Sequence, residues 1–235
     1  MSIDASTLEA TEEGSIVTTI EHTDGTAVVG ASRGWLVAPV VGIVAAAGVM
    51  FTGAGFSVTD DLPVATMLEK LEDARSTLLL GGAVQAFAAM GVVVFGAWLF
   101  MRLRAVGPTG AMTSSVAAGG CGLTAAMMAV AAAHTQLATY DANAAVDAAV
   151  PLTLHTLEEN LFAGAWCSLA LVAGAVAVAA LRHRIVPSWF GGVSAFIAVL
   201  LVVLQVVLPW AGWFPATIWL IVAGFGLRPR QRTTT

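Results

Sequence analysis

Charged residues are scarce in this chain, making up 11% of its 235 residues. An ordinary soluble domain carries roughly 25%. The few charges sit in short clusters between long apolar stretches, 58% of the residues are hydrophobic, and the mean hydropathy is +0.86. That balance excludes an ordinary soluble domain. Lysine occurs once, at Lys70, outside the apolar runs, which excludes a retinal Schiff base buried in mid-span. No basic tract with interleaved aromatics occurs, so nucleic acid is not an expected partner. The two cysteines, Cys121 and Cys167, both lie inside apolar runs and read as small embedded residues, not as a disulfide framework or a zinc site. Walker, Rossmann and GxSxG fingerprints are missing, as are HExxH and the paired ExxH of bundle di-iron sites. So are a TVGYG-like filter and a span with regularly spaced arginines. Residues 1–32 are polar and acidic, and Arg33 is the first basic residue, unlike a signal peptide.

What the chain does have is six long apolar runs rich in Ala, Leu, Val and Gly. A spanning helix needs about 20 mainly apolar residues, and only helices or closed barrels satisfy backbone groups inside a bilayer. Barrel strands would alternate in segments of about ten residues; these runs are continuous. The expected fold is therefore an all-α membrane protein, a six-helix transmembrane bundle over 33–228. Its spans are expected near Trp35–Phe56, Thr77–Met101, Thr113–Thr139, Asn160–Leu181, Ser188–Leu208 and Trp213–Leu227. The run from Pro209 to Pro215 marks a tight turn between the last two. Residues 1–32 form an acidic tail expected to be disordered. Within it, Ile16–Thr23 and Thr26–Val29 flank Asp24 and Gly25, a pair favoured in hairpin turns. Residues 229–235 form a short basic tail.

With six spans, Arg33, Arg102, Arg104, Arg182, Arg184, Arg228, Arg230 and Arg232 fall on one side, and only Lys70 and Arg75 on the other. The positive-inside rule then places both termini in the cytoplasm of a multi-pass plasma (inner) membrane protein. The acids from Asp60 to Asp73 and from Asp141 to Glu159 face outward. The two longer outer connections resemble one another: Leu68, Leu71, Glu72 and Asp73 precede the second span, and Leu154, Leu157, Glu158 and Glu159 precede the fourth, after Pro63 and Pro151 respectively. Both read as short amphipathic helices, either relics of a duplicated hairpin or two independent interfacial segments.

His134, His155, Glu158 and Glu159 are the residues best suited to chemistry. On a helix His155 shares a face with Glu158 and Glu159, and His134 lies near the same depth at the outer end of the third span. Imidazole with carboxylate binds a transition metal or passes a proton; the alternative is a solvated polar cluster in the interface, with no cofactor. A second pattern joins Gln85, His134, Gln136 and Gln205, which lie in three different spans, each in the outer half of its helix. They read either as an outward-facing polar vestibule or as plain hydrogen bonding between helices. Gly122, Ala125, Ala126, Ala129 and Ala133 form a small-residue stripe on the third span, matched by Ala170 and Gly174 on the fourth, expected to pack inside the bundle or to seat a second copy. Trp35, Trp98, Trp189, Trp210 and Trp213 fall near span ends, as interface anchors do.

The stretch from Leu181 through Arg184, Pro187 and Trp189 to Gly191 joins a basic loop to a proline that opens the next helix. With the ending from Trp219 through Gly224 and Gly226 to the last arginines, it resembles an uncharacterised bacterial, actinobacterial-type family of six-span membrane proteins. The resemblance covers the last three spans and implies a six-helix fold with no established activity. Two classes of function follow from the residues. The first is a non-enzymatic transporter-like or accessory subunit, with the lipid bilayer and a membrane protein or second copy as partners. The second is a membrane-embedded metal-binding protein or enzyme using the outer His and Glu residues.

Overall fold

The computed structural model describes residues 33–52, 62–105, 108–144, 147 and 149–228. The expected tails at 1–32 and 229–235, with the hairpin reading at Asp24 and Gly25, lie outside the described residues. Among the described residues the fold is all-helical, with no strand. A 3-10 turn at Arg33–Leu36 leads into α1 (Val37–Thr52), followed by α2 (Val64–Asp73), α3 (Arg75–Arg104), α4 (Pro108–Ala144), α5 (Ala149–His183), α6 (Ser188–Val207), a second 3-10 turn at Pro209–Gly212, and α7 (Trp213–Gly226). Prolines punctuate these boundaries where they do least harm. Pro63 and Pro187 sit just before α2 and α6, and Pro151 and Pro215 sit in first turns, where the backbone N–H has no helical partner.

Five helices are long and apolar enough to cross a membrane: the first 3-10 turn with α1, then α3, α4, α5 and α6. The sixth expected span, α7, has 14 residues, about 21 Å at the usual helical rise. α4 and α5 err the other way, with 37 and 35 residues. At about 55 and 52 Å they exceed a hydrocarbon core of about 30 Å.

The fourth span corrects a boundary. The expected short helix before it does not exist as a separate element; Leu154–Glu159 is part of α5, which starts eleven residues before Asn160. Asp147 explains the start, because its Oδ1 accepts the Ala149 N–H at 2.9 Å. Continuity follows from register: Leu152, His155, Glu158 and Phe162 are all buried on one face, so the packed stripe runs through the amphipathic segment without a break. The other amphipathic helix is as expected. α2 buries Met67 and Leu71 and turns its acids outward.

α1 packs against α3 and α7, α3 against α4, α4 against α5, and α5 against α6, with lighter contact between α6 and α7. The main core is built of small residues around a few large ones, among them Phe95, Met128, Trp166, Phe190 and Trp219, all at most 2% exposed. A smaller cluster of Met67, Leu71, Leu78 and Leu152 joins α2 to the near ends of α3 and α5. Helices approach closely: a methyl added at Gly120 would lie 2.8 Å from Val172, and one at Gly96 would lie 2.6 Å from Cys121 Cβ. With no hydrophobic force between helices in lipid, such close van der Waals contact is the main source of association.

The small-residue stripe gives a second correction. On α4, Gly122, Ala126, Ala129 and Ala133 are exposed; of the five expected to pack inside, Ala125 alone is buried. The inward face is instead Ala117, Cys121, Thr124, Ala125, Met128 and Ala132.

One end of the bundle is basic. Arg102 lies over Trp98 at 5.5 Å and Arg104 over Phe100 at 5.7 Å, both on α3, and Arg228, after α7, lies over Trp35 at 5.8 Å. The Trp98 indole occupies the space a side chain at Gly34 would need, so the ends of α3, α1 and α7 meet through these rings.

Candidate functional site

The candidate site lies where α4 and α5 extend beyond the length of a single crossing. His155 and Glu158 are each 3% exposed, and His155 Nδ1 is 3.0 Å from Glu158 Oε2. One turn of α5 supplies both, since positions three apart share a helix face. Glu159 Oε1 is 3.9 Å from His155 Nε2, and its side chain is 38% exposed. From α4, Thr135, itself 2% exposed, lies beside the Glu158 side chain. Thr135 had no distinguishing mark in the sequence; it follows His134, and its hydroxyl donates to the Ala131 carbonyl at 3.1 Å.

Three of the four expected members are therefore together. His134 is not with them in any ligand set: it is half-buried, and its Nδ1 lies 2.7 Å from the Val130 carbonyl of its own helix. Among the described residues, no group of three or more His, Cys, Asp or Glu side chains is placed to hold a metal ion. What the arrangement does supply is an imidazole and a carboxylate in contact, closed from water by α4 and within one side chain of an exposed second carboxylate.

The four residues of the vestibule reading occupy unlike environments. Gln85 is fully buried between α1 and α3; its Nε2 donates to the Ala45 carbonyl at 3.3 Å, and a methyl at Gly48 would lie 2.7 Å from its Cδ. Gln136 is exposed, and His134 and Gln205 are half-buried. Two clefts described on the bundle, one between α6 and α7 and one between α4 and α5, are lined by none of the four.

Polar contacts between spans that sequence reasoning missed close two further seams. Thr124 Oγ1 on α4 and Ser168 Oγ on α5 are 2.6 Å apart, both buried. Trp219 Nε1 on α7 donates to Ser194 Oγ on α6 at 3.0 Å, with the indole stacked on Phe190 at 6.3 Å between centroids. Hydroxyls in a span commonly bond to their own helix, as Thr124 also does to Gly120, so their reach across a seam leaves no pattern in the sequence. Compared with protein-family models, curated proteins and solved structures, the chain matches none.

Proposed function

We propose that this chain is a non-enzymatic accessory subunit of a bacterial plasma membrane, crossing it six times with both termini in the cytoplasm. The observation that carries the reading is how the polar side chains within the spans are used. Gln85, the Thr124–Ser168 pair and the Ser194–Trp219 pair each bond one helix directly to another. A substrate pathway through the bundle would need such groups turned toward a wet cavity. Outward, α4 presents Gly119, Gly122, Ala126, Ala129 and Ala133 at exposed positions with alternating spacings of three and four, the spacing of a helix-packing seam. This supports a partner helix, from another membrane protein or a second copy. The 3-10 turn at Pro209–Gly212 and α7 together make 18 residues, Pro209–Gly226, as the sixth crossing, about 29 Å long at 3-10 and α-helical rises. The basic residues collected at one end support the cytoplasmic placement of the termini. The stretch from Leu181 to Gly191 supports kinship with the six-span bacterial proteins it resembles.

Cysteine accessibility tests the proposal. In a chain carrying Cys121→Ala and Cys167→Ala, a Gln85→Cys variant in intact cells is expected to resist a membrane-impermeant thiol reagent and to react after denaturation. Rapid labelling from outside would transfer the reading to a transporter.

A second reading rests on the buried contact of His155 with Glu158, a metal-binding or enzymatic site reached from the outer face. Metal analysis of the purified chain beside His155→Ala separates it: stoichiometric metal lost in the variant would establish it at the expense of the first.

A further inference from the structure

A cleft of about 450 Å³ runs along the outside of the bundle where α4 meets α5. That volume is within the roughly 300–1,000 Å³ usual for ligand sites. Its walls are apolar, with Val116 on α4 and Leu171 and Val178 on α5, and Gly174 leaves room between them. At one end of the lining are Arg182 and His183. From Ala170 to Arg182 the helix rises about 18 Å, close to one leaflet's share, about 15 Å, of the hydrocarbon core plus the start of the headgroup layer.

Among the described residues no Asp or Glu lies in the cleft or in the helix ends beside it. Asp and Glu are missing from 74–140 and from 160–235, which includes every residue of the cleft and both helix ends beside it. The neighbouring guanidinium groups of Arg102, Arg104 and Arg228 lie over aromatic rings, whereas Arg182 lines the cleft and is exposed. The buried Nε2 of His183 has no hydrogen-bond partner. An apolar channel of leaflet depth that ends in a cation and an unsatisfied ring nitrogen is complementary to an amphiphile with an anionic head. Basic pockets between helices at the cytoplasmic face recognise phospholipid headgroups in this way.

We infer that this cleft binds one anionic phospholipid, its phosphate held by Arg182 and His183 and an acyl chain lying between Val116, Leu171 and Val178. The inference stands apart from the accessory-subunit reading and needs only that α5 crosses a bilayer.

Native mass spectrometry of the full chain in detergent, with equal phosphatidylglycerol and phosphatidylcholine added, tests it. One phosphatidylglycerol is expected to stay bound per chain under activation that strips phosphatidylcholine. Arg182→Gln with His183→Gln is expected to weaken retention roughly tenfold or more. Val178→Trp, on a wall 48% exposed and so tolerant of bulk, should weaken it with both polar groups intact. An unchanged circular dichroism spectrum certifies the fold of each variant. Equal retention of the two lipids by the wild type would overturn the inference, as would full retention by either variant. Displacement by glycerol 3-phosphate at the lipid's own concentration would also overturn it, reassigning the site to free phosphate.

Discussion

Replacing His155 by alanine tests whether the site between α4 and α5 is as closed as its geometry implies. In the wild type the Glu158 carboxylate is 3% exposed and has the imidazole 3.0 Å away. His155→Ala leaves that carboxyl group buried beside Thr135 without the imidazole that faces it. Breaking a buried pair by removing one partner costs about 3–5 kcal/mol, because the remaining group has lost its compensation. The lower figure is the better expectation, since Thr135 stays in place, and 3 kcal/mol is roughly a hundredfold in the folding equilibrium. Two controls give the number meaning. Glu159→Gln removes a contact of 3.9 Å from a side chain 38% exposed and should cost under about 1 kcal/mol. His155→Leu combined with Glu158→Leu removes both partners and should cost less than His155→Ala alone, since a packed apolar pair of similar volume is often neutral. Equilibrium unfolding in mixed SDS micelles, followed by tryptophan emission from the seven tryptophans, measures all three. If His155→Ala costs no more than Glu159→Gln, or if the double variant is the worst of the set, the pair is not a closed, mutually dependent unit.

Four further outcomes follow from the packing and the backbone. Gly48→Ala would force a methyl to within 2.7 Å of Gln85 Cδ and is expected to destabilise by about 1–3 kcal/mol in the same assay. Gly122→Ala meets nothing within 4 Å and should stabilise the isolated chain by up to about 1 kcal/mol; equal effects at the two sites would refute the assigned faces. Thr124→Val should cost about 0.6 kcal/mol and not above about 1.7, and much the same when Ser168→Ala is already present would show that the 2.6 Å contact contributes nothing. Arg184 has φ of 52°, a left-handed conformation that costs a non-glycine residue roughly 1–2 kcal/mol. Arg184→Gly should therefore raise the unfolding midpoint, and a lowered midpoint would show that the guanidinium matters more than the backbone.

The existence of the apolar helices was legible because length and hydropathy alone decide it, and α2 was legible because its leucines and acids alternate at helical spacing. Which way a spanning helix faces was not. In water a polar stripe marks the outside, but both faces of α4 are apolar, so Gly122 and Cys121 look equally suited to the interior although only Cys121 is there. The start of α5 was misplaced for a related reason. His155 and Glu158 read as solvated on polarity, whereas α4 and α5 extend far enough to bury them against each other. Gln85 stands out in the sequence as a polar residue within a span, but its partner is a backbone carbonyl on α1, and no side-chain pattern announces a carbonyl.

The ring contacts at the basic end bear on how the protein meets bilayers of different thickness. Trp98 against Gly34 and Arg228 on the adjacent Trp35 tie α3, α1 and α7 at a common level. Sliding α1 or α7 along its axis by a residue would part the Arg228 guanidinium from the Trp35 ring, at about 0.5–1 kcal/mol, and sliding α3 would carry Trp98 off Gly34. These three helices are thus levelled at one face, like posts set in a shared footing, while α4 and α5 run on well past bilayer thickness toward the other. Tilt is the usual way a helix longer than the hydrocarbon core meets a bilayer, and the two helices with length to spare are α4 and α5, which carry His155 and Glu158 beyond that footing.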